Sequence, residues 1–295
     1  MSASGESRIL VILNPSAQGE KAKRSVELIR GLSERIEIVE SSSFEQAHEL
    51  AKQADADGRP GVVAAGGDGT VNAVVSGLIG GDTPLGIFPT GTMNLFAREL
   101  GLPKNDLRGC WEVIDSGSTR DIDLFSANGQ AFVQLAGVGF DAQVIEETSW
   151  ERKKKFGRMS YVMSGLAVAG SDPPCLRVIP ESGEAVGGAF ALIGNGALYG
   201  PASRVFRRAS NSDGLLDVIV FEKQRLFDIF RYLSGIGLGR VEKMRGVTYL
   251  QTPSLRIECD REVPVEIDGE LAGVTPVDFL LMEEKLRVFA PPLDG

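Results

Sequence analysis

Ile9-Leu10-Val11-Ile12-Leu13 is an unbroken apolar run of strand length, closed by the turn-forming cluster Asn14-Pro15-Ser16-Ala17-Gln18-Gly19. Such a run predicts a strand buried on both faces. A helix is expected over Lys21–Leu32, with Val26, Ile29 and Leu32 on one side. Ile36–Val39 reads as a second strand and Phe44–Ala54 as a second helix carrying His48. Val62–Ala65 is a third strand bounded by glycine. Val71, Val74, Val75, Leu78 and Ile79 then recur three and four apart, the stripe of an amphipathic helix. Leu85–Phe88 gives a fourth strand, and Leu95–Leu100 opens a further helix. Strands alternating with helices predict a parallel sheet covered on both faces.

The rhythm changes near Ile122. Ala131–Ala136, Cys175–Ile179, Ala189–Ile193, Leu216–Phe221, Leu255–Glu258, Val263–Ile267 and Leu286–Ala290 all read as strands. Only Ser149–Val168 and Leu226–Leu238 carry helical stripes between them. This half is expected to be antiparallel and β-rich. The fold class is therefore α/β followed by β: a nucleotide-binding type parallel sheet, then an antiparallel β-sandwich.

Composition narrows the chemistry. With 295 residues, 43% hydrophobic and 24% charged, the chain is an ordinary globular protein and not a disordered or fibrous one. A net charge of −9 argues against a nucleic-acid partner. No apolar run reaches the length of a membrane span, and the polar start lacks a signal core, so a cytoplasmic location is expected. The three cysteines are widely spaced, which gives neither a disulfide framework nor a structural zinc site. A single histidine removes Ser-His-Asp chemistry and His-ligated metals.

Chemistry concentrates at glycine-bearing strand ends. Gly66-Gly67-Asp68-Gly69-Thr70-Val71-Asn72 follows a buried strand and opens a helix. Its glycines admit close approach of a ligand, and the N–H groups of a helix start suit a phosphate. Asp68 would repel that phosphate unless a cation bridges them, which implies Mg²⁺. The plain alternative is a tight turn with Asp68 as a helix cap. Phe88-Pro89-Thr90-Gly91-Thr92-Met93-Asn94 is built in the same way, and the Asn14 cluster ends the first strand at the same sheet edge, where ligands bind in parallel sheets.

Further signals follow: Asp121-Ile122-Asp123, Gly137-Val138-Gly139-Phe140-Asp141-Ala142, Ser212-Asp213-Gly214-Leu215 and Ile267-Asp268-Gly269-Glu270. In this order and spacing the series resembles the diacylglycerol-kinase-like bacterial lipid kinases, over essentially the whole chain from Ile9 to about Pro291. The resemblance implies an N-terminal α/β ATP-binding domain over residues 1–122, joined by the returning residues 277–295, and a β-sandwich substrate domain over 123–276. It implies ATP- and Mg²⁺-dependent phosphorylation of a lipid hydroxyl, of diacylglycerol or a related glycerolipid, as in phospholipid biosynthesis. By similarity ATP would be held by Asn14, Pro15, Ser16, Gly66, Gly67, Asp68, Gly69, Thr70, Asn72, Ala73, Thr92 and Asn94, with Ser42 a weaker match. Glu270 would take the hydroxyl proton with Asp268 beside it. Asp68 would act through Mg²⁺, and Asp123 matches a functional acid. A structural Mg²⁺ would be held by Asp213 and the carbonyls of Ser210 and Leu215, all hard oxygens.

The residues also carry plainer readings. On one strand Asp268 and Glu270 would share a face and perturb each other's ionisation; as a hairpin tip they would be two solvated acids. Asp213 could simply close an Asx turn. Leu95 stands where these lipid kinases often have an acid, which leaves a catalytically weak lipid- or nucleotide-binding regulator as an alternative. NAD kinases share the glycine loop but lack the Gly91-Thr92-x-Asn94-x-x-Ala97-Arg98 segment. Arg152–Lys155 with Arg158 is a basic run suited to transient contact with anionic headgroups, or a solvated helix face. A homodimer is left open.

Overall fold

β1 (Ile9–Leu13) is buried at every residue, as its uninterrupted apolar run requires. The computed structural model describes residues 8–14, 20–147, 172–200 and 203–292. Their chain divides into two compact units, one comprising residues 1–123 with 200–202 and 283–295, the other 124–199 with 203–282.

In the first unit, β1 pairs in parallel with β2 (Ile36–Glu40) and β3 (Val62–Gly66), and β3 with β4 (Leu85–Pro89). β4 continues to the end of β18 (Val277–Phe289), where Val288 stands opposite Leu85. The order is β2-β1-β3-β4-β18. Helices α1 (Glu20–Arg30), α2 (Phe44–Ala56), α3 (Asp68–Leu78) and α4 (Leu95–Glu99) connect the strands as the periodicity predicts. α5 (Leu107–Asp115) escapes that reading. It begins at Asp106, whose carboxylate accepts the Gly109 N–H, and buries Leu107, Cys110, Trp111 and Ile114. Helix α3 packs so tightly on α2 that a Cβ on Gly77 would lie 2.4 Å from the His48 carbonyl oxygen.

The second unit is an antiparallel sandwich. One sheet runs β14 (Val247–Thr252), β13 (Leu216–Phe221), β10 (Phe190–Gly194), β7 (Leu135–Val138), β16 (Pro264–Ile267), β17 (Glu270–Val274). The other sets the first half of β18 against β15 (Ser254–Cys259), β15 against β8 (Leu176–Pro180) and β8 against β9 (Val186–Gly188). Val178, Ile257 and Phe279 from the second sheet meet Val138, Ile193 and Val218 from the first in one buried core. β13 is buried on both faces. Its Ile219 and Phe221 point the other way, into a second apolar cluster with Phe190, Phe206 and Tyr232. Tyr232 comes from α7 (Leu226–Gly237), the later of the two helices expected in this half; the earlier, Ser149–Val168, lies outside the described residues.

Some boundaries move. The expected strand Ala131–Ala136 is split into β6 (Gln130–Phe132) and β7, because Val133 to Leu135 donate their N–H groups to a side chain and not to a ladder. β5 (Thr119–Ala127) and α6 (Phe140–Glu147) are longer than the motifs that marked them. The fold class is as expected, with a mostly parallel α/β part followed by an antiparallel sheet part.

Candidate functional site

The first unit satisfies its candidate acids with N–H groups and two cations. Gly66 closes β3 where a Cβ would lie 2.3 Å from the Thr70 hydroxyl, so only glycine lets the chain turn into α3. Asn14, at the end of β1, donates its side-chain amide to that same hydroxyl at 3.2 Å. The neighbouring turn folds over this one. Thr90 and Gly91 donate their N–H groups to the Gly66 carbonyl at 3.1 and 3.2 Å, and a Cβ on Gly91 would stand 2.4 Å from the Gly67 Cα.

Asp68 locks the two turns together. Its carboxylate accepts the N–H of Asn94 at 3.0 Å and of Leu95 at 2.6 Å. Those are the first donors of α4, so Asp68 caps a helix, though not its own; Gly67 caps α3 without a side-chain bond. Asn94 takes a left-handed conformation with φ 50° and ties itself to the carbonyls of Pro89 and Gly91. Leu95 turns its side chain into the core, so its N–H serves the site and its side chain does not. Gly69 and Thr92 are exposed beside them, and Asn72 is half-buried. Ser42 serves the start of α2, donating to Gln46 Oε1 at 2.8 Å from its backbone N–H and at 3.0 Å from its hydroxyl. Pro15 and Ser16 lie outside the described residues.

Asp123, on β5, is buried at 1% exposure and holds the ammonium of Lys285 at 2.8 Å; this pairing raises the lysine's pKa. One turn of the pleat away, Asp121 accepts from Arg287 at 3.2 Å. The sequence reading missed both cations, although their spacing of two residues matches that of the acids. A groove of about 450 Å³ adjoins the second turn, with Thr90 and Gly91 on one wall and Arg24 and Arg108 on another. These two arginines also went unnoticed; they sit on α1 and α5, far from any motif.

The second unit treats its acids differently. Asp268 and Gly269 both have positive φ, 47° and 87°, and form the two-residue tip of the β16–β17 hairpin. The same-face arrangement of Asp268 and Glu270 is therefore corrected to the hairpin reading, because an Asp-Gly pair favours that turn over an extended strand. Asp268 faces inward and accepts the N–H groups of Val133, Gln134 and Leu135 at 2.9 to 3.0 Å. Glu270 begins β17 and is exposed.

The acids that do perturb one another are Glu266 and Asp141. Glu266 is fully buried on β16 and accepts the Gly269 N–H at 2.9 Å. Its carboxyl bonds that of Asp141, which in turn accepts the Tyr199 hydroxyl at 2.6 Å. Burial raises both carboxyls above their ordinary range, Glu266 well above it, with Asp141 adding to the shift. Two carboxyls with no cation between them share a proton. A Cβ on Gly137 would lie 2.9 Å from Glu266 Oε1, so glycine leaves the pair its room. Further along, burial pushes Asp217 up to about 6 while Tyr249 donates its hydroxyl to it.

The proposed metal loop places Asp213 Oδ1 3.1 Å from the Leu215 N–H, an Asx turn, with the Ser210 carbonyl facing the Asp213 N–H at 3.5 Å. Among the described residues no three acids, histidines or cysteines gather to hold a metal. The donor set on offer, one carboxylate and main-chain carbonyls, is all hard oxygen and fits Mg²⁺ completed by water. The segment Gly137–Ala142 forms the end of β7 and the start of α6, and β7 pairs antiparallel with β10 and β16, unlike the parallel strands of a dinucleotide-binding unit.

Residues 8–127 match the diacylglycerol kinase catalytic domain, and residues 134–290 match the YegS C-terminal NAD kinase beta sandwich-like domain. The chain belongs to the diacylglycerol kinase-like family. Among this family's members, a diacylglycerol kinase of Staphylococcus aureus (strain MRSA252) is 29% identical over 96% of this chain and 92% of its own length. The diacylglycerol kinase of Bacillus subtilis (strain 168) is 28% identical over 78% of this chain and 77% of its own. A crystal structure of a diacylglycerol kinase from Bacillus anthracis superposes with a TM-score of 0.78 at 24% identity, covering 97% of this chain and 98% of the other. Yeast NADH kinase complexed with NADH has a TM-score of 0.56 at 11% identity, over 98% and 85%. These two structures establish the NAD kinase-like fold. As a kinase family, the group uses a nucleotide substrate. No helix among the described residues is long and apolar enough to cross a membrane.

Proposed function

We propose that the protein is an ATP- and Mg²⁺-dependent lipid kinase that phosphorylates the hydroxyl of diacylglycerol or a close glycerolipid. The observation that carries this reading is the Asp68 clamp, which holds two glycine-rich turns and the start of α4 as one preorganised piece. Phosphoryl transfer asks a protein for positioning and charge neutralisation more than for covalent chemistry. The turns around Gly67 and Gly91 supply a surface without Cβ obstruction, and the amide-bearing start of α3 suits phosphate. Asn14, Thr70, Asn72, Thr92 and Asn94 frame it. Mg²⁺, when bound, neutralises phosphate charge, and Asp68 keeps lone pairs for it after accepting two N–H groups. Asp123 is paired with the Lys285 ammonium at 2.8 Å. Glu270, exposed on its hairpin, takes the proton of the acceptor hydroxyl. The turn beneath it is fixed from both sides by Asp268 and Glu266, which keeps the base in place.

Transfer of labelled phosphate from ATP to a lipid panel tests this. Diacylglycerol is expected to be labelled, and Asp68→Ala and Glu270→Ala each to lower the rate by about 10²-fold or more. Undiminished rates in both variants would refute the mechanism. The buried Leu95 favours one other reading, a regulator that binds lipid or nucleotide without turnover; it would label no lipid at all.

A further inference from the structure

Helix α7 is apolar on two opposite sides. Ile229, Tyr232 and Gly235 face inward, with Tyr232 set against Phe221 at 4.7 Å and Phe221 stacked on Phe190 at 4.4 Å. The outer side, which a surface helix normally gives to polar residues, instead carries Phe227 at 77% exposure, Phe230 at 60% and Leu233 at 55%, with Leu238 at 71% just beyond the end. Large exposed phenyl rings on a firmly packed helix mark a contact surface.

Charge says what covers it. Lys223 and Arg225 precede the helix and Arg240, Lys243 and Arg245 follow it, all exposed. The acids between residues 223 and 245, Asp228 and Glu242, are each paired with an arginine, Arg231 and Arg208, at 3.4 Å. An apolar band with cations at both ends, in a chain of net charge −9, complements a plane of anionic headgroups over acyl chains. A second copy of the chain would bring the same cations against these. We propose that α7 is the face by which this protein docks on an anionic bilayer, with Phe227 and Phe230 entering the acyl boundary. This deepens the lipid-kinase reading, from which it takes only that the substrate resides in a membrane. It also provides a docking element apart from the basic run at 152–158, which lies outside the described residues.

The test is co-sedimentation of the full chain with vesicles of phosphatidylcholine alone or mixed with phosphatidylglycerol. The protein is expected to bind the mixed vesicles and to lose about tenfold in affinity at raised ionic strength. Phe227→Ser with Phe230→Ser is expected to weaken binding by about 100-fold. Leu28→Ser, on the first unit, should not. Both phenyl rings are exposed, so the double variant should keep its near-ultraviolet dichroism and its rate on a water-soluble short-chain diacylglycerol. Unchanged vesicle binding by the double variant would overturn the proposal. So would a dimer in sedimentation equilibrium that the double variant dissolves. Vesicle binding without turnover of the soluble substrate would sustain the docking face and remove the kinase reading alone.

Discussion

Two acid clusters, one in each unit, are satisfied by different means. In the first, every site acid has a donor or a cation: Asp68 two N–H groups, Asp123 the Lys285 ammonium, Asp121 the Arg287 guanidinium. In the second, Glu266 and Asp141 are buried together with a phenol and a single backbone N–H, and a retained proton removes part of their charge. Burying a charge is costly unless it is paired, and a carboxyl that finds no cation keeps its proton instead. The first unit thus sets paired acids beside the turns proposed to hold phosphate. The other uses Glu266, Asp141 and Asp268 as internal fasteners and leaves Glu270, beside the hairpin tip, exposed.

If that division is right, the largest effect separates two neighbouring acids. Glu270→Ala should lower the transfer rate by about 10²–10⁴-fold and leave the urea midpoint unchanged, since the side chain is exposed. Asp268→Ala should strand three N–H groups and cost about 3 kcal/mol or more in urea unfolding. If instead Asp268→Ala unfolds like the parent and only loses rate, Asp268 belongs with the catalytic acids and the contrast fails.

Glycines give the next test. Gly91→Ala would drive a Cβ into the backbone of Gly67, which cannot yield as a side chain can, and should cost about 1–3 kcal/mol and the activity with it. Gly269→Ala meets open space and pays only for its positive φ, about 1 kcal/mol. Equal costs at the two positions would mean that the first unit's turns are not held in close approach.

The shared proton predicts a pH dependence with a definite sign. Unfolded, Glu266 titrates near about 4.3; folded, well above that. Between those two values the folded state holds the extra proton, so stability must fall as pH rises, by at most about 1.4 kcal/mol per pH unit for one proton. Asp217, raised to about 6, contributes the same sign, and its part is exhausted above that pH. Chemical unfolding measured upward from pH about 4.3 should show the decline in the parent. Glu266→Gln, whose amide can donate to Asp141 and accept from Gly269, should flatten it. A parallel decline in that variant would place the proton elsewhere.

How far the sequence disclosed this follows from where the information sits. β1, β3 and β4 are apolar throughout and α3 is periodic, so the parallel sheet and its glycine turns were legible residue by residue. Asp68 was also legible as a key acid, though not the helix it caps, because the partner of a cap lies 26 residues away in sequence and only the folded turns bring Asn94 to it. The coupling expected between Asp268 and Glu270 is real in kind but belongs to Glu266 and Asp141. Spacing of two fixes side-chain parity only while the strand continues, and Asp-Gly ended it. α5 went unread because its polar start masks a short apolar face.

The smallest test compares the cysteines. Cys110 is fully buried in the first unit, with its thiol donating to the Pro103 carbonyl. Burial, and then the neighbouring Asp106, push its pKa up to about 12, so at pH 8 almost none is thiolate. Cys175, in the second unit, is exposed, and Cys259 is half-buried with its pKa raised. Thiol-reactive disulfide reagent should therefore label Cys175 first, Cys259 slowly and Cys110 only on unfolding. Since none of the three touches the proposed site, the labelled native enzyme should retain its rate. The third thiol then serves as a clock for opening of the first unit alone. Under denaturant, its exposure should track loss of the Asp68 clamp and be hastened by Gly91→Ala but not by Gly269→Ala. Equal hastening by both would show that the two units open together, and that their different handling of charge does not make them separate in stability.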